Sequence, residues 1–407
     1  MNLVSPGLAA IRILLRRVQR YVVRVLPAAI EMVRQLVATP SVSSQDLRFD
    51  QSNRGVIELL AEWSAGLGLA VQIEALPGQT GKANLIAKLG EGEDGLVLSG
   101  HTDTVPYDAD RWSDDPFALT ERDGKLHGLG TADMKGFFAA ALHAIARFEP
   151  GALRRPITIL GTADEESTMN GARALAKKGE RLGRYAIIGE PTGLAPIRKH
   201  KGVFYVQVTV SGKSGHASNP ALGVNAIEGL QLVLAALQSW RDTIGARYHD
   251  EDFEVPGPTL NFGRVSGGDS PNRICAESKL TLDVRLLPGM QRSEVTAELR
   301  DVVANALDGG PWGFDVKGVG GYADAFGGPS DAQFCTAVET LCGCSARTAL
   351  FGTEAPFLTE LGLQTLVLGA GDIAVAHQPD EYVTMAAIER ATDVYAKLIK
   401  RFCIEPA

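Results

Sequence analysis

Cysteine is scarce in this chain. Five residues in 407 lie too far apart for a disulfide framework, which points to a reducing compartment and a cytoplasmic location. No run of about 18 apolar residues free of charge occurs, so no segment reads as a membrane-spanning helix. Surplus positive charge is missing too: 40 Lys and Arg stand against 48 Asp and Glu, a net charge of −8, which gives no electrostatic support for binding nucleic acid. With 45% hydrophobic and 22% charged residues, neither disorder nor coiled coil suits the whole chain. The length allows two or three domains.

Met1–Pro27 lacks acid altogether and carries five arginines, Arg12, Arg16, Arg17, Arg20 and Arg24. Four of them recur every fourth residue and share one helical face, with Ile13, Leu14, Val18, Tyr21 and Val22 among the rest. Three readings stay open: a basic amphipathic helix on an anionic membrane surface, an acid-poor targeting segment, or an idle extension preceding a later start at Met32. A secretory signal fits poorly, because the arginines interrupt any apolar stretch.

From Ala28 onward helix and strand patterns alternate. Residues 28–38 and 51–67 read as helices, 84–89 and 96–100 as strands, 135–148 as a helix, 157–162 as a strand, 172–178 as a helix and 185–189 as a strand. Strands separated by helices imply a mostly parallel sheet covered on both faces. Beyond His200 the texture changes: Val203–Ser211 alternates apolar and polar residues, and the following elements read β-α-β-β-α-β, a ferredoxin-like arrangement. Helix–strand alternation resumes after Gly318. The expected organisation is a basic extension (1–27), a catalytic domain in two parts (28–199 and 319–407) and a lid inserted at 200–318.

The ionisable residues fall in a telling place. Three predicted strands end in Gly100-His101-Thr102-Asp103, in Ala163-Asp164-Glu165-Glu166 and in Glu190-Pro191-Thr192, and Asp133 follows a glycine-rich loop just before a helix. Open α/β sheets bind ligands at the carboxyl ends of their strands. Histidine with several carboxylates and no nearby cysteine suits zinc, cobalt or manganese, and the set is large enough for two ions with a bridging carboxylate. Extended backbone puts His101 and Asp103 on one side, so Asp103 is expected to accept the second ring N–H of His101. Taken singly, each piece is more often a solvated acid or a helix-start charge; their convergence is what counts.

Ser99-Gly100-His101-Thr102-Asp103-Thr104-Val105-Pro106, Gly130-Thr131-Ala132-Asp133-Met134-Lys135-Gly136, Ala163-Asp164-Glu165-Glu166, Gly189-Glu190-Pro191-Thr192 and Ala376-His377-Gln378-Pro379-Asp380-Glu381 resemble the signatures of the dinuclear zinc aminoacylase and peptidase family. The resemblance runs from about Ala28 to the C-terminus and is reinforced by Ser270–Cys275 and Gly352–Phe357. It implies an α/β zinc-peptidase-like catalytic domain with an inserted ferredoxin-like α+β lid through which the chain forms a homodimer. It further implies two divalent ions, zinc with cobalt as a substitute. His101 and Glu190 would hold one, Glu166 and His377 the other, with Asp133 between them and Asp103 orienting His101. Glu165 would act as general base on a metal-bridging water, and His216 would reach the partner subunit's site. The implied reaction is hydrolysis of a small N-acyl amino acid, N-acetyl-L-ornithine being the expected substrate and arginine biosynthesis the setting.

Other residues were weighed on their chemistry. Asn272 and Arg285 suit a substrate carboxylate, although Arg285 serves equally as a surface strand residue. Glu354 is expected to pair with a cationic substrate side chain. His143 reads as a packed or surface residue, and Cys342 with Cys344 as structural, since a second cysteine pair is absent. A catalytically dead binding module is disfavoured by the complete ligand set together with Glu165.

Overall fold

The computed structural model describes residues 26–406, so the arginine-rich leader readings, which concern Arg12 to Arg24, lie outside the described residues. Up to residue 200 the chain forms strands β1 (Ala70–Ala75), β2 (Ala83–Leu89), β3 (Leu96–His101), β4 (Thr120–Arg122), β5 (Lys125–His127), β6 (Ile157–Thr162), β7 (Tyr185–Pro191) and β8 (Ile197–His200). The middle stretch adds β9 (Gly202–Ser211), β10 (Thr259–Gly267), β11 (Glu277–Leu286) and β12 (Gly313–Ala323). The last stretch supplies β13 (Arg347–Ala349), β14 (Gln364–Gly369) and β15 (Tyr382–Thr384).

Eight strands make one sheet in the order β1-β2-β6-β3-β7-β14-β8-β13, whose four central strands β6-β3-β7-β14 run parallel. Alternate residues of these strands feed two cores. Leu96, Leu98 and Ile159 face helices Ala29–Val37, Lys135–Ile145 and Met385–Ile399, whereas Val97, Leu160 and Ile188 pack with Leu175 and Leu358 on the opposite face. Both faces are thus covered, as near-continuous apolar strands require. Gly189 lets helix Lys135–Ile145 lie flat on the sheet, because a Cβ there would come within 2.0 Å of the Phe137 ring.

The middle stretch folds as expected into β-α-β-β-α-β. The antiparallel sheet β10-β11-β9-β12 is covered on one face by helices Ala226–Arg247 and Arg292–Leu307, around Val206, Val208, Leu282 and Leu299. The expected boundary at 318 falls inside β12. Gly320 takes a left-handed φ of +74° at a bulge, and pairing resumes at Tyr322 with Phe204. The four-stranded unit therefore spans β9 to Ala323. Its two connections to the larger sheet touch: His200 and Phe326 exchange backbone hydrogen bonds of 3.1 and 3.0 Å.

A small sheet, β15-β5-β4, was not legible as strands, since each has three residues and β4 is Thr-Glu-Arg. It carries the loop Gly128–Asp133 and positions Glu381 one residue before β15. No described helix is long and apolar enough to cross a membrane.

Candidate metal centre and active site

His101 ends β3, Glu165 and Glu166 follow β6, and Glu190 lies on β7, so neighbouring parallel strands deliver them to one rim. Asp133 arrives from the loop ahead of helix Lys135–Ile145, and His377 from the segment before β15, with a left-handed φ of 58°. The two histidines flank Asp133: His101 Nε2 is 3.0 Å from Oδ1, and His377 Nε2 is 3.3 Å from Oδ2. His377 Nε2 also lies 3.0 Å from Glu166 Oε1, and His101 Nε2 3.9 Å from Glu190 Oε1. His101, Glu165 and Glu190 bring ligand atoms within 4.8 Å of one another, as do His101, Asp133 and Glu166.

Electrostatics describes a cluster short of positive charge. Burial, aided by neighbouring Glu190, pushes the Glu165 carboxyl well above its ordinary range, and burial with Asp133 does the same to Glu190. Burial pulls His377 down, yet Asp133 and Glu166 more than offset it and hold the imidazole at about 11. His101 is likewise raised against its burial by Asp133 and Glu190. Two imidazoles and four carboxylates with no thiol are a donor set for divalent cations, which would neutralise this excess. The residues present therefore fit two metal ions, with Asp133 offering one oxygen to each side.

The orientation of His101 differs in detail from the expectation. Its Nδ1 donates to the backbone carbonyl of Asp103 at 3.0 Å, fixing the tautomer that leaves Nε2 facing Asp133. The Asp103 carboxylate sits 3.8 Å from Nδ1 because its oxygens accept the peptide N–H groups of Glu165 (3.3 Å) and Glu166 (3.1 Å). Its side chain thus holds the turn that carries the two glutamates.

A cavity of 560 Å³ opens beside this cluster, lined by Glu165, Glu166, His377, Tyr205, Arg285, Tyr322 and the segment Ser43–Asp46 among others. Arg285 projects from β11 into it, with one edge held by Asp283 at 2.7 and 2.9 Å. His216 and Asn272 do not line it. Both are exposed on adjoining loops of the four-stranded unit, where Ala217 N–H donates to the Asn272 carbonyl at 3.0 Å.

Glu354 lies deeper than the expectation of a solvent-facing partner. It lies 1% exposed and outside the cavity lining. Burial, with the charge of Asp103, pushes it to about 7. Its carboxylate thus stands beside Glu165 and Glu190, whose carboxyls it helps to raise, rather than on the cavity wall.

Two supports went unassigned in the sequence. Glu381 is buried and accepts the backbone N–H groups of Gly130 (3.2 Å), Ala132 (2.8 Å) and Asp133 (3.0 Å), shaping the loop that presents Asp133. Lys82, also buried, joins Asp164 at 2.7 Å to Asp50 at 2.8 Å, tying the residue before Glu165 to the cavity-lining segment. Position within a signature motif hinted at Glu381; nothing in the sequence singled out Lys82. His143 Nε2 donates to the Pro27 carbonyl at 2.9 Å, and His200 is fully buried; neither belongs to the metal-facing cluster. All five cysteines are free.

Known proteins share this chain's sequence and fold. The chain is 46% identical over 379 residues, 93% of its length and 98% of the relative's, to acetylornithine deacetylase of Proteus mirabilis. Its fold matches that of a tripeptidase from Staphylococcus aureus (TM-score 0.73, 20% identity, 92% of this chain and 98% of that one). It also matches a dinuclear metal binding peptidase from Bacillus subtilis (TM-score 0.63, 17% identity, 91% and 96%). The sequence profile of one family covers residues 97–401, including every candidate metal ligand, and on that match the chain belongs to peptidase family M20/M25/M40.

Proposed function

We propose that this metal-dependent hydrolase converts N-acetyl-L-ornithine to L-ornithine and acetate. The observation that carries the reading is Asp133 set between two histidines, one oxygen to each, at the mouth of a cavity that also holds Glu165 and Arg285. The substrate follows from the 46% identity to an acetylornithine deacetylase over nearly the whole chain. His101 and Glu190 would hold one ion, Glu166 and His377 the other, and Asp133 both; zinc is proposed, with cobalt as a working substitute. When bound, the ions supply Lewis acidity, polarising the amide carbonyl and acidifying a water.

The protein's own groups do the rest. Glu165, whose burial favours the protonated form, takes one proton from the attacking water and returns it to the leaving amine. One C–O bond forms, the amide C–N bond breaks, and no other proton donor is consumed. Asp103 keeps Glu165 in place through its peptide N–H. Arg285 offers its free guanidinium edge to the substrate carboxylate. His216 is exposed and stands outside its own subunit's cavity, which supports a homodimer in which His216 of the partner subunit donates a hydrogen bond to the developing oxyanion. The proposed location is the cytoplasm.

A turnover panel of N-acetyl amino acids tests this. N-acetyl-L-ornithine should give the highest kcat/KM, chelation should abolish turnover, and zinc or cobalt should restore it. Glu165→Ala should retain two metal ions per chain by elemental analysis while losing at least about a thousandfold in kcat. Activity surviving that substitution overturns the assigned mechanism.

A further inference from the structure

A substrate bearing a side-chain ammonium needs a carboxylate that the metal cluster does not already occupy. Among the described residues, three acids line the cavity: Glu165, Glu166 and Asp46. The first two belong to the catalytic cluster, and Glu354 is buried outside the lining. We propose that Asp46 receives the ammonium of the substrate side chain and so sets the preference for cationic N-acyl amino acids; the assignment rests on the deacetylase reading above.

The surroundings of Asp46 suit that task. Its position is fixed by its own backbone: its N–H donates to Ser44 Oγ at 3.1 Å, and its carbonyl accepts from Phe49 (2.9 Å) and Asp50 (3.2 Å). Asp50 in turn accepts Ser44 N–H at 3.1 Å and Lys82 Nζ at 2.8 Å, and Lys82 reaches Asp164 beside Glu165. Asp46 is therefore held at a fixed offset from the proposed base, which is what selection by side-chain length requires.

Its present counter-ion is replaceable. Arg48 grips the carboxylate as a fork, Nε on Oδ1 at 2.9 Å and Nη2 on Oδ2, but its side chain is 81% exposed and only two residues away. The guanidinium keeps Asp46 ionised and gives up little by returning to water, because exposed pairs are weak. Binding is then an ion exchange: the substrate ammonium, with three donors, takes the carboxylate as Arg48 swings out.

Steady-state kinetics of the metal-loaded full chain on N-acetyl-L-ornithine and on its near-isosteric neutral counterpart N-acetyl-L-norleucine provide the test. Asp46→Asn keeps an oxygen for the Arg48 peptide and should fold; it should raise KM for the ornithine substrate roughly fivefold, leaving kcat and both constants for norleucine unchanged. Arg48→Ala, by removing the competitor, should lower KM for the ornithine substrate and not for norleucine. An unchanged ornithine-to-norleucine ratio in Asp46→Asn, or an equal loss on both substrates, overturns the assignment while leaving the deacetylase reading intact. A wild-type protein that fails to turn over N-acetyl-L-ornithine overturns both.

Discussion

Glu381 offers the sharpest test of how the metal-facing loop is built. Its carboxylate accepts three backbone N–H groups, from Gly130, Ala132 and Asp133, and the side chain is 1% exposed. Glu381→Ala strands all three donors, each costing about 1–3 kcal/mol if left dry. Water admitted to the vacated space would recover part of this, so the expected loss is about 4 kcal/mol. Glu381→Gln keeps one acceptor oxygen for Ala132 and Asp133 but turns an amide N–H₂ toward Gly130, so one bond is lost and the others weaken, for about 2 kcal/mol. Urea unfolding of the metal-free protein, at constant m, reads these values directly. Metal affinity measured separately should fall in the same order, because the Asp133 peptide N–H is one of the three. Alanine and glutamine variants of equal stability, within about 0.5 kcal/mol of wild type, would show that the loop holds its shape without Glu381 and would refute the reasoning.

Two further outcomes can be checked with the same assay. His200 is buried in neutral form, its Nδ1 donating to Lys201 O at 2.9 Å and its Nε2 3.0 Å from the Thr353 hydroxyl, and burial lowers it to about 4 from 6.5. The unfolded chain takes up that proton first, so this contribution is complete above pH 6.5 and declines as pH falls toward 4. Wild type should lose about 2 kcal/mol between pH 7 and pH 5 that His200→Gln does not, and equal pH slopes would refute it. Gly189→Ala should destabilise by more than about 4 kcal/mol or give no soluble protein, and Phe137→Ala should partly rescue it, since the added methyl meets that ring at 2.0 Å. Full stability of the single variant would mean the helix can lift from the sheet.

The candidate site was legible because its ionisable residues sit where strands end: His101, Glu165 with Glu166, and Glu190 each follow an apolar run of strand length. What stayed hidden acts through three-dimensional enclosure. Glu354 matched an ornithine-like charge on paper, but burial outside the cavity lining is a tertiary property that no local pattern announces. Asp103 was placed correctly beside His101, while the choice between its carboxylate and its carbonyl depended on the peptide N–H groups of a turn more than 60 residues on. Asp46 drew no notice for the same reason, since an acid in a polar loop ordinarily faces solvent. The edge strands β1, β4, β13 and β15 are short or exposed, and their pairing is set by neighbours rather than by periodicity.

The paired backbone of His200 and Phe326 gives the four-stranded unit the topology of a plug-in part. Chain leaves and returns at adjacent points, so the larger sheet sees the whole insertion as one long loop whose ends are already joined. Lengthening, shortening or exchanging that unit changes the roof of the cavity, including Tyr205, Arg285 and Tyr322, without altering the register of a single strand beneath the candidate metal ligands. One catalytic floor can in this way be combined with different roofs, and substrate range can diverge while the hydrolytic chemistry stays fixed.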